Sequence, residues 1–490
     1  MFRRHDASGL ATWRRVFAKK VQLPPAAILL LGLTVCPALA GTPQPRTVAA
    51  ALKPDSEWKE YPTRTLADLP AAASSGTNTT LSRYGGWAER RTKATGFFRT
   101  ERIAGRWWLI DPEGNVFLHR GVASVRPTAT TGAVAALKQR FGGEESWARA
   151  TTELLRTNGF NGIGGWSETA ALRQVEPPLV QTRLWNFMAS YGRKRGGTFQ
   201  QPGHTGYPGD CIFVFDPEFE SFCDEYARQL VASREEPWLL GHFSDNELPF
   251  PREALKKFLG LPARDPGHQT ALKWLRQRHG ETAGEKDITP RDEADFLAVV
   301  VERYFSIVSR AVKKHDPNHL YLGARFYGAD IRQAEIFRAC GPHVDVVSVN
   351  YYRAWTPEAE KLAMWERESG KPCLITEWYA KGADSGLPNF GGAGWLVKTQ
   401  RERGLFYQNF VLALLESKVC VGWHWFKYMD NDPDDTRVDP SNRDSNKGIV
   451  NNRYVPYAPL LELMKEINER AYSLVDYFDR KPGLASHAEK

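Results

Sequence analysis

Eight short apolar runs, each followed by a stretch of helical periodicity, constrain this chain more than any other feature. The runs fall at residues 118–125, 161–166, 179–185, 238–244, 320–326, 344–351, 372–377 and 419–426. Near-continuous apolar strands mark a parallel sheet buried on both faces, and their alternation with helices marks repeated βα units. The helical pattern is clearest over 291–315. There Phe296, Val299, Val300, Tyr304, Ile307, Val308 and Ala311 recur on one face. Eight such units predict a (β/α)8 barrel of the α/β class rather than an open sheet. Just ahead of the first run, Arg106–Ile110 and Val116–Leu118 flank the turn Asp111-Pro112-Glu113-Gly114 and predict a hairpin. No glycine-rich phosphate loop follows any strand, which weighs against a nucleotide-binding fold.

The net charge of +8 looks basic, but residues 1–40 hold six Lys or Arg and one Asp, so the remainder carries only +3. That balance argues against a nucleic-acid partner, for which a concentrated basic face is expected. The basic N-terminus has another meaning. Arg14-Arg15 precedes a short apolar run, Ala26–Cys36, and Ala38-Leu39-Ala40 offers a small-residue cleavage site. These are the parts of a twin-arginine-like export signal, and the apolar run is too short to span a bilayer. The expected location is periplasmic or extracellular, with no membrane association after cleavage. Five cysteines follow Cys36, an odd number with no zinc-like spacing. Cys373 and Cys420 lie in apolar runs and read as buried thiols, while a Cys211–Cys223 bridge stays open. The expected organisation is 1–40 signal peptide, 41–96 linker or N-terminal arm, 97–480 barrel and 481–490 disordered tail.

In a parallel barrel the C-terminal strand ends build the site. The fourth run leads into Ser244-Asp245-Asn246-Glu247 before a proline-forced turn, and the seventh, Lys371–Trp378, ends in Thr376-Glu377. On this count Glu247 ends strand four and Glu377 ends strand seven. Two carboxyl groups at the mouth of a barrel suit glycoside hydrolysis, in which one works as acid and base and the other as nucleophile.

An Asn-Glu pair after strand four and a Glu after strand seven resemble clan A of the retaining glycoside hydrolases. Three further pieces resemble the β-agarases of glycoside hydrolase family 50: Gly105–Gly114 with Arg120-Gly121-Val122, Gly241–Leu248, and Ser445–Val450. The resemblance spans roughly residues 97–475. It departs in one respect, since the residues before Gly96 leave no room for the β-sandwich such agarases often carry. It implies Glu247 as acid/base, Glu377 as nucleophile and Asn246 as a ligand for the hydroxyl beside the reacting carbon. It also implies a tyrosine on the nucleophile, either Tyr351 or Tyr352, and a tryptophan under the sugar, Trp423 or Trp425. Trp166, Trp185, Trp355 and Trp378 are further stacking candidates. Arg120, Arg325, His242 and Lys427 are candidates to bind sugar hydroxyls or a sulfate.

Asp430–Asp435 lacks the glycine and closing glutamate of an EF-hand and reads as a solvated or gating loop. The basic segment 251–290 reads as an insertion that either walls the cleft or is a solvated helical surface. No metal or cofactor is expected. The partner is a polysaccharide or oligosaccharide, with a galactan such as agarose as the expected substrate. The alternatives are another clan A activity, of β-galactosidase, mannanase or glucuronidase type, and a sugar-binding barrel without catalysis.

Overall fold

The computed structural model of the chain describes residues 46–70, 79–201, 203–435 and 442–480. The signal peptide and the tail predicted from the sequence, and Ser74–Asn78, lie outside the described residues. The eight apolar runs become parallel strands: β1 (His119–Val122), β2 (Gly162–Ile163), β3 (Val180–Leu184), β4 (Leu239–Phe243), β5 (Leu320–Tyr321), β6 (Val347–Asn350), β7 (Cys373–Glu377) and β8 (Cys420–Trp425). Their order in the sheet is β5-β4-β3-β2-β1-β8-β7-β6, and a parallel bridge from Phe326 to Val349 closes β5 on β6. The chain therefore forms a (β/α)8 barrel.

Two apolar layers hold it together. Val180, Leu240, Leu320, Val346, Leu374 and Val421 fill the barrel axis from six different strands or their edges. The second layer lies between strands and helices and depends on long amphipathic segments. In helix Pro290–His315, Thr289 caps the first turn in a reciprocal box with Asp292, and Pro290 opens the helix. Its buried face holds Phe296, Val300, Tyr304, Ile307, Val308 and Ala311, as the spacing predicts, while Val299 sits at the edge of that face.

The predicted hairpin pairs Arg106–Ile110 with Asn115–Phe117. Gly114 makes its turn with φ +93°, a left-handed conformation that glycine adopts at little cost. The hairpin belongs to a four-stranded antiparallel sheet with Trp87–Arg91 and Arg99–Ile103. Tyr84, Phe98, Leu109 and Phe117 from this region join the axial layer and plug the barrel's N-terminal end.

Within the segment 41–96, predicted as a linker or N-terminal arm, described residues form a docked arm. Thr47–Ala51 pairs with Lys59–Pro62 and with Trp395–Val397, a strand from the connection between β7 and β8. Val48 and Ala50 alternate with polar or half-buried neighbours, and that short alternation is what docks the arm. Cys211, Cys223, Cys340, Cys373 and Cys420 are all free and buried, so the Cys211–Cys223 bridge is not made. No helix among the described residues is long and apolar enough to cross a membrane.

Candidate active site

The chain leaves β4 at Phe243 and is pinned before it reaches Glu247. Asp245 is buried and accepts from the Met188 and Ala189 backbone amides and from the Tyr304 hydroxyl. Glu247 then takes φ +54° and donates its own amide to the Ala324 carbonyl. Five of the ten non-glycine residues with positive φ among the described residues stand at this end of the barrel: Ser124, Trp166, Glu247, Arg325 and Arg353. Each such conformation costs roughly 1–3 kcal/mol and persists only where the surroundings enforce it. Here the bends turn side chains off the strand direction and into the mouth.

That mouth is a cavity of about 790 Å³ lined by Trp166, His204, Asn246, Glu247, Tyr327, Tyr352, Glu377, Tyr379 and Phe426, with basic groups at its rim. The two glutamates face it from different hydrogen-bond environments. Glu247 Oε1 accepts from Asn350 Nδ2 at 2.8 Å, and His204 Nδ1 stands 3.7 Å from its other oxygen. Burial, and then the charge of Glu377, push the Glu247 carboxyl well above the ordinary range. Glu377 Oε1 accepts from Arg325 Nη2 at 2.5 Å and from Trp166 Nε1 at 3.4 Å. Its Oε2 accepts from the Tyr352 hydroxyl at 2.5 Å. Burial and the Glu377 charge hold the Tyr352 phenol far above its usual pKa, so it stays a donor. Asn350 links the two sides: it donates to Glu247 and to Asn246 Oδ1, and accepts from Thr376 Oγ1 beside Glu377.

Several predicted site residues are elsewhere, for one shared reason. Side chains along a strand alternate between faces. In the β1–β8 register, Gly121 pairs with His424 and His119 with Gly422; His119 and His424 meet at 2.7 Å inside the barrel. The alternate positions Arg120, Trp423 and Trp425 therefore face the helices. Trp423 is fully buried and donates to the Tyr407 hydroxyl, and Trp425 donates to the Lys447 carbonyl. Trp378, one step past Glu377, stacks on Phe410 at 4.0 Å. Arg120 donates to the Asn468 and Gly85 carbonyls at the far end of the barrel. Of the two candidate tyrosines, Tyr351 is buried against Trp365 and Phe410 and accepts from the Glu358 amide, leaving Tyr352 in the site. Trp355 is buried and bonded to Thr63 Oγ1, and Trp185 donates to His242. Of the aromatic stacking candidates, Trp166 alone lines the cavity.

His242, Asp316 and His319 have ligand atoms within 4.8 Å of one another, yet hydrogen bonds already engage them. An indole N–H only donates, so His242 Nδ1 accepts from Trp185 and Nε2 donates to Asp316. His319 spans Asp316 and the Glu236 carbonyl. The acidic stretch after β8 is likewise tied down. Asp430 accepts from Asn446, the Gly448 amide and Tyr457, rather than standing solvated. No residue of the basic segment 251–290 lines the cavity.

Sequence reasoning missed Asn350, His204, Tyr379 and Lys447. Lys447 donates to Asn442 Oδ1 at 2.5 Å and lies over the rings of Tyr379 and Phe426, at 5.3 and 5.6 Å. Burial, and then the nearby Lys427, bring it down to about 7. Asn350 was visible as the one amide in the run 344–351. His204 sits on the small hairpin Phe199–Gly206, which has no signal in the strand pattern.

A parallel barrel with two carboxyl groups at the C-terminal ends of β4 and β7 is an enzyme scaffold of the (β/α)8 class. Among solved structures, BpGH50 matches at 32% identity with a TM-score of 0.80, over 89% of this chain and 96% of that one. The chain belongs to glycoside hydrolase family 50. The agarase AgWH50C (24% identity, TM-score 0.66, covering 82% of this chain and 68% of that one) shares the fold. β-Agarase B of Vibrio sp. (strain JT0107) is 28% identical over 80% of this chain and 50% of its own length. β-Agarase A of the same organism is 25% identical, over 74% and 44%. The chain spans about half the length of these curated relatives. No family model matches it.

Proposed function

We propose that this chain is an exported, retaining glycoside hydrolase that cleaves β-glycosidic bonds of an agarose-type galactan. The observation that carries the reading is the contrast between two glutamates on one cavity. Burial, and then its neighbour's charge, raise the pKa of Glu247, while Glu377 accepts from an arginine, a tyrosine and an indole. Glu247 protonates the leaving glycosidic oxygen as Glu377 attacks the anomeric carbon, displacing the leaving sugar and forming a covalent glycosyl ester. Glu247, now a carboxylate, takes a proton from water as that water displaces Glu377, and the starting anomer is released. Asn246, held by Asn350, is placed to bind the hydroxyl beside the reacting carbon. The galactan assignment is supported by the names of the Vibrio relatives, and export by the Arg14-Arg15 leader.

Proton NMR of the first product released from agarose oligosaccharides tests the mechanism. A β-anomer formed first and mutarotating later is the expected result. An α-anomer formed first would remove Glu377 from the nucleophile's role. N-terminal sequencing of exported protein should start near Gly41, and retention of Met1 on an exported, soluble product would discard the leader.

A further inference from the structure

The rim of the cavity carries cations without hydrogen-bond or ion-pair partners among the described residues. Lys53, Arg126, Arg353 and Lys427 all line it, and none of their charged groups has a hydrogen-bond or ion-pair partner within the described chain. Some of the other cations are paired: Arg195 meets Asp216 and Asp265, Arg278 meets Asp292 and Asp295, and Arg106 grips Asp479. Of the acids of the same cavity, Glu377 is matched by Arg325, Glu247 has its pKa raised by burial and then by the Glu377 charge, and Asp444 accepts from the Phe390 and Gly391 amides.

The geometry is most specific around Lys427, the half-buried residue just past β8. There the main cavity opens into a side pocket of about 340 Å³ that shares Ser124, Arg126, Lys427 and Asn431 with it. The acids deeper in that pocket are largely turned to other uses. Asp430 accepts three hydrogen bonds, and Asp432 accepts from Thr130 and from the Asp434 amide. Asp430 and Asp435 both act on Lys427 by their charge, and Arg126 opposes them. A neutral galactan needs hydroxyl partners and aromatic faces; Lys427, half-buried and with no hydrogen-bond or ion-pair partner for its ammonium among the described residues, stands beside the exposed Arg126 in the pocket wall, two cations for which a neutral chain has no use.

Resting on the glycosidase reading above, we infer that the cleft takes galactan chains bearing anionic substituents, a sulfate ester or a carboxylate seated between Arg126 and Lys427. The substituent replaces the missing counter-ions, and the wider rim attracts the polyanion.

The test compares kcat/KM on agarose oligosaccharides with that on counterparts of equal length carrying a sulfate ester or a pyruvyl carboxylate. At low salt the charged substrates should exceed the neutral one by about fivefold or more, and the advantage should shrink as added salt screens it. Arg126→Met and Lys427→Met should each bring the charged-to-neutral ratio down by about twofold or more, toward one. Whichever anion shows the larger ratio identifies the substituent. A ratio near one that neither salt nor substitution moves would overturn the proposal while leaving the glycosidase reading intact. Calorimetric binding to the Glu377→Gln protein separates the two ideas from the other side. It reads preference for the charged chain even if no substrate is cleaved, and equal affinity for both chains there would also overturn the proposal.

Discussion

The ends of β4 and β7 present the same residue type to the same cavity and make opposite use of it. Beyond β4 the chain runs four residues further, held by Asp245, before Glu247 turns inward with one close N–H donor, Asn350. At β7 the glutamate is the last strand residue, in register with Asn350, and three donors from three other elements converge on it. Hydrogen bonds to the ionised form favour that form, and burial without them favours the neutral one. On the proposed mechanism, the difference teaches that acid and nucleophile are set by what reaches each carboxyl.

The sharpest way to break the comparison is to remove the acceptor at β7. Glu377→Ala should reduce turnover by about four orders of magnitude or more on every substrate, because the covalent intermediate cannot form. Added azide should restore part of it with an α-configured product by filling the vacated space. Full loss with no rescue on an activated aryl glycoside would leave Glu377 without a demonstrated nucleophilic role. Removal of the β4 acid is expected to be selective. Glu247→Gln should cost about 10²- to 10⁴-fold on oligosaccharides and far less on substrates whose leaving group departs unprotonated. Equal losses on both classes would mean that the two glutamates have exchanged roles.

The same contrast sets the pH profile. On the proposed mechanism Glu247 acts in its protonated form, and burial and the Glu377 charge both raise its pKa. The rate of the first step is therefore full below that raised pKa and falls as pH rises through it, well above the usual carboxylate range. Replacing Glu377 by Gln removes one of the two causes, so the Glu247 titration, followed by NMR in that variant, should move down. It should not reach the ordinary value, since burial is the larger cause. Next in size are the donors at β7. Tyr352→Phe and Arg325→Met should each lower kcat by about 10- to 100-fold, the range for a hydrogen bond to a charged group. The Arg325 change should be the larger, because it also removes a charge.

The barrel was legible because its strands are buried on both faces, and near-continuous apolar runs survive as a pattern whatever the loops do. Glu247 and Glu377 were legible because each follows such a run. What the sequence did not give was the facing of individual side chains. Between Cys373 and Leu374 the register to β8 slips by one residue, from Cys420 to Gly422. A one-residue slip exchanges the two faces of a strand, so Trp423 and Trp425 meet the helices while His424 turns to the axis. Tyr351 and Tyr352 could not be separated for the same reason. Asn350, His204 and Arg325 join the site through contacts that are distant in sequence and carry no local periodicity.

The smallest predicted effect on activity tests whether facing, rather than residue type, decides function. Arg120 belongs to Arg120-Gly121-Val122, one of the pieces on which the resemblance to the agarases rests, yet it lies on the outward side of β1. Its guanidinium donates to the Asn468 carbonyl at 2.6 Å and to the Gly85 carbonyl at 3.3 Å, and it stacks over the Tyr472 ring at 5.1 Å. It thus ties β1 to the C-terminal helices and to the sheet that plugs the barrel's N-terminal end. Arg120→Met should keep KM and kcat within about twofold while lowering stability by about 1–3 kcal/mol, because buried carbonyls lose a donor. Thermal unfolding should register this as a fall in Tm of a few degrees, with kinetics at a temperature well below the transition unchanged. A large rise in KM with an unaltered Tm would place Arg120 in the substrate's path and reverse the inside-outside assignment of β1, and with it that of Trp423 and Trp425 on the strand alongside.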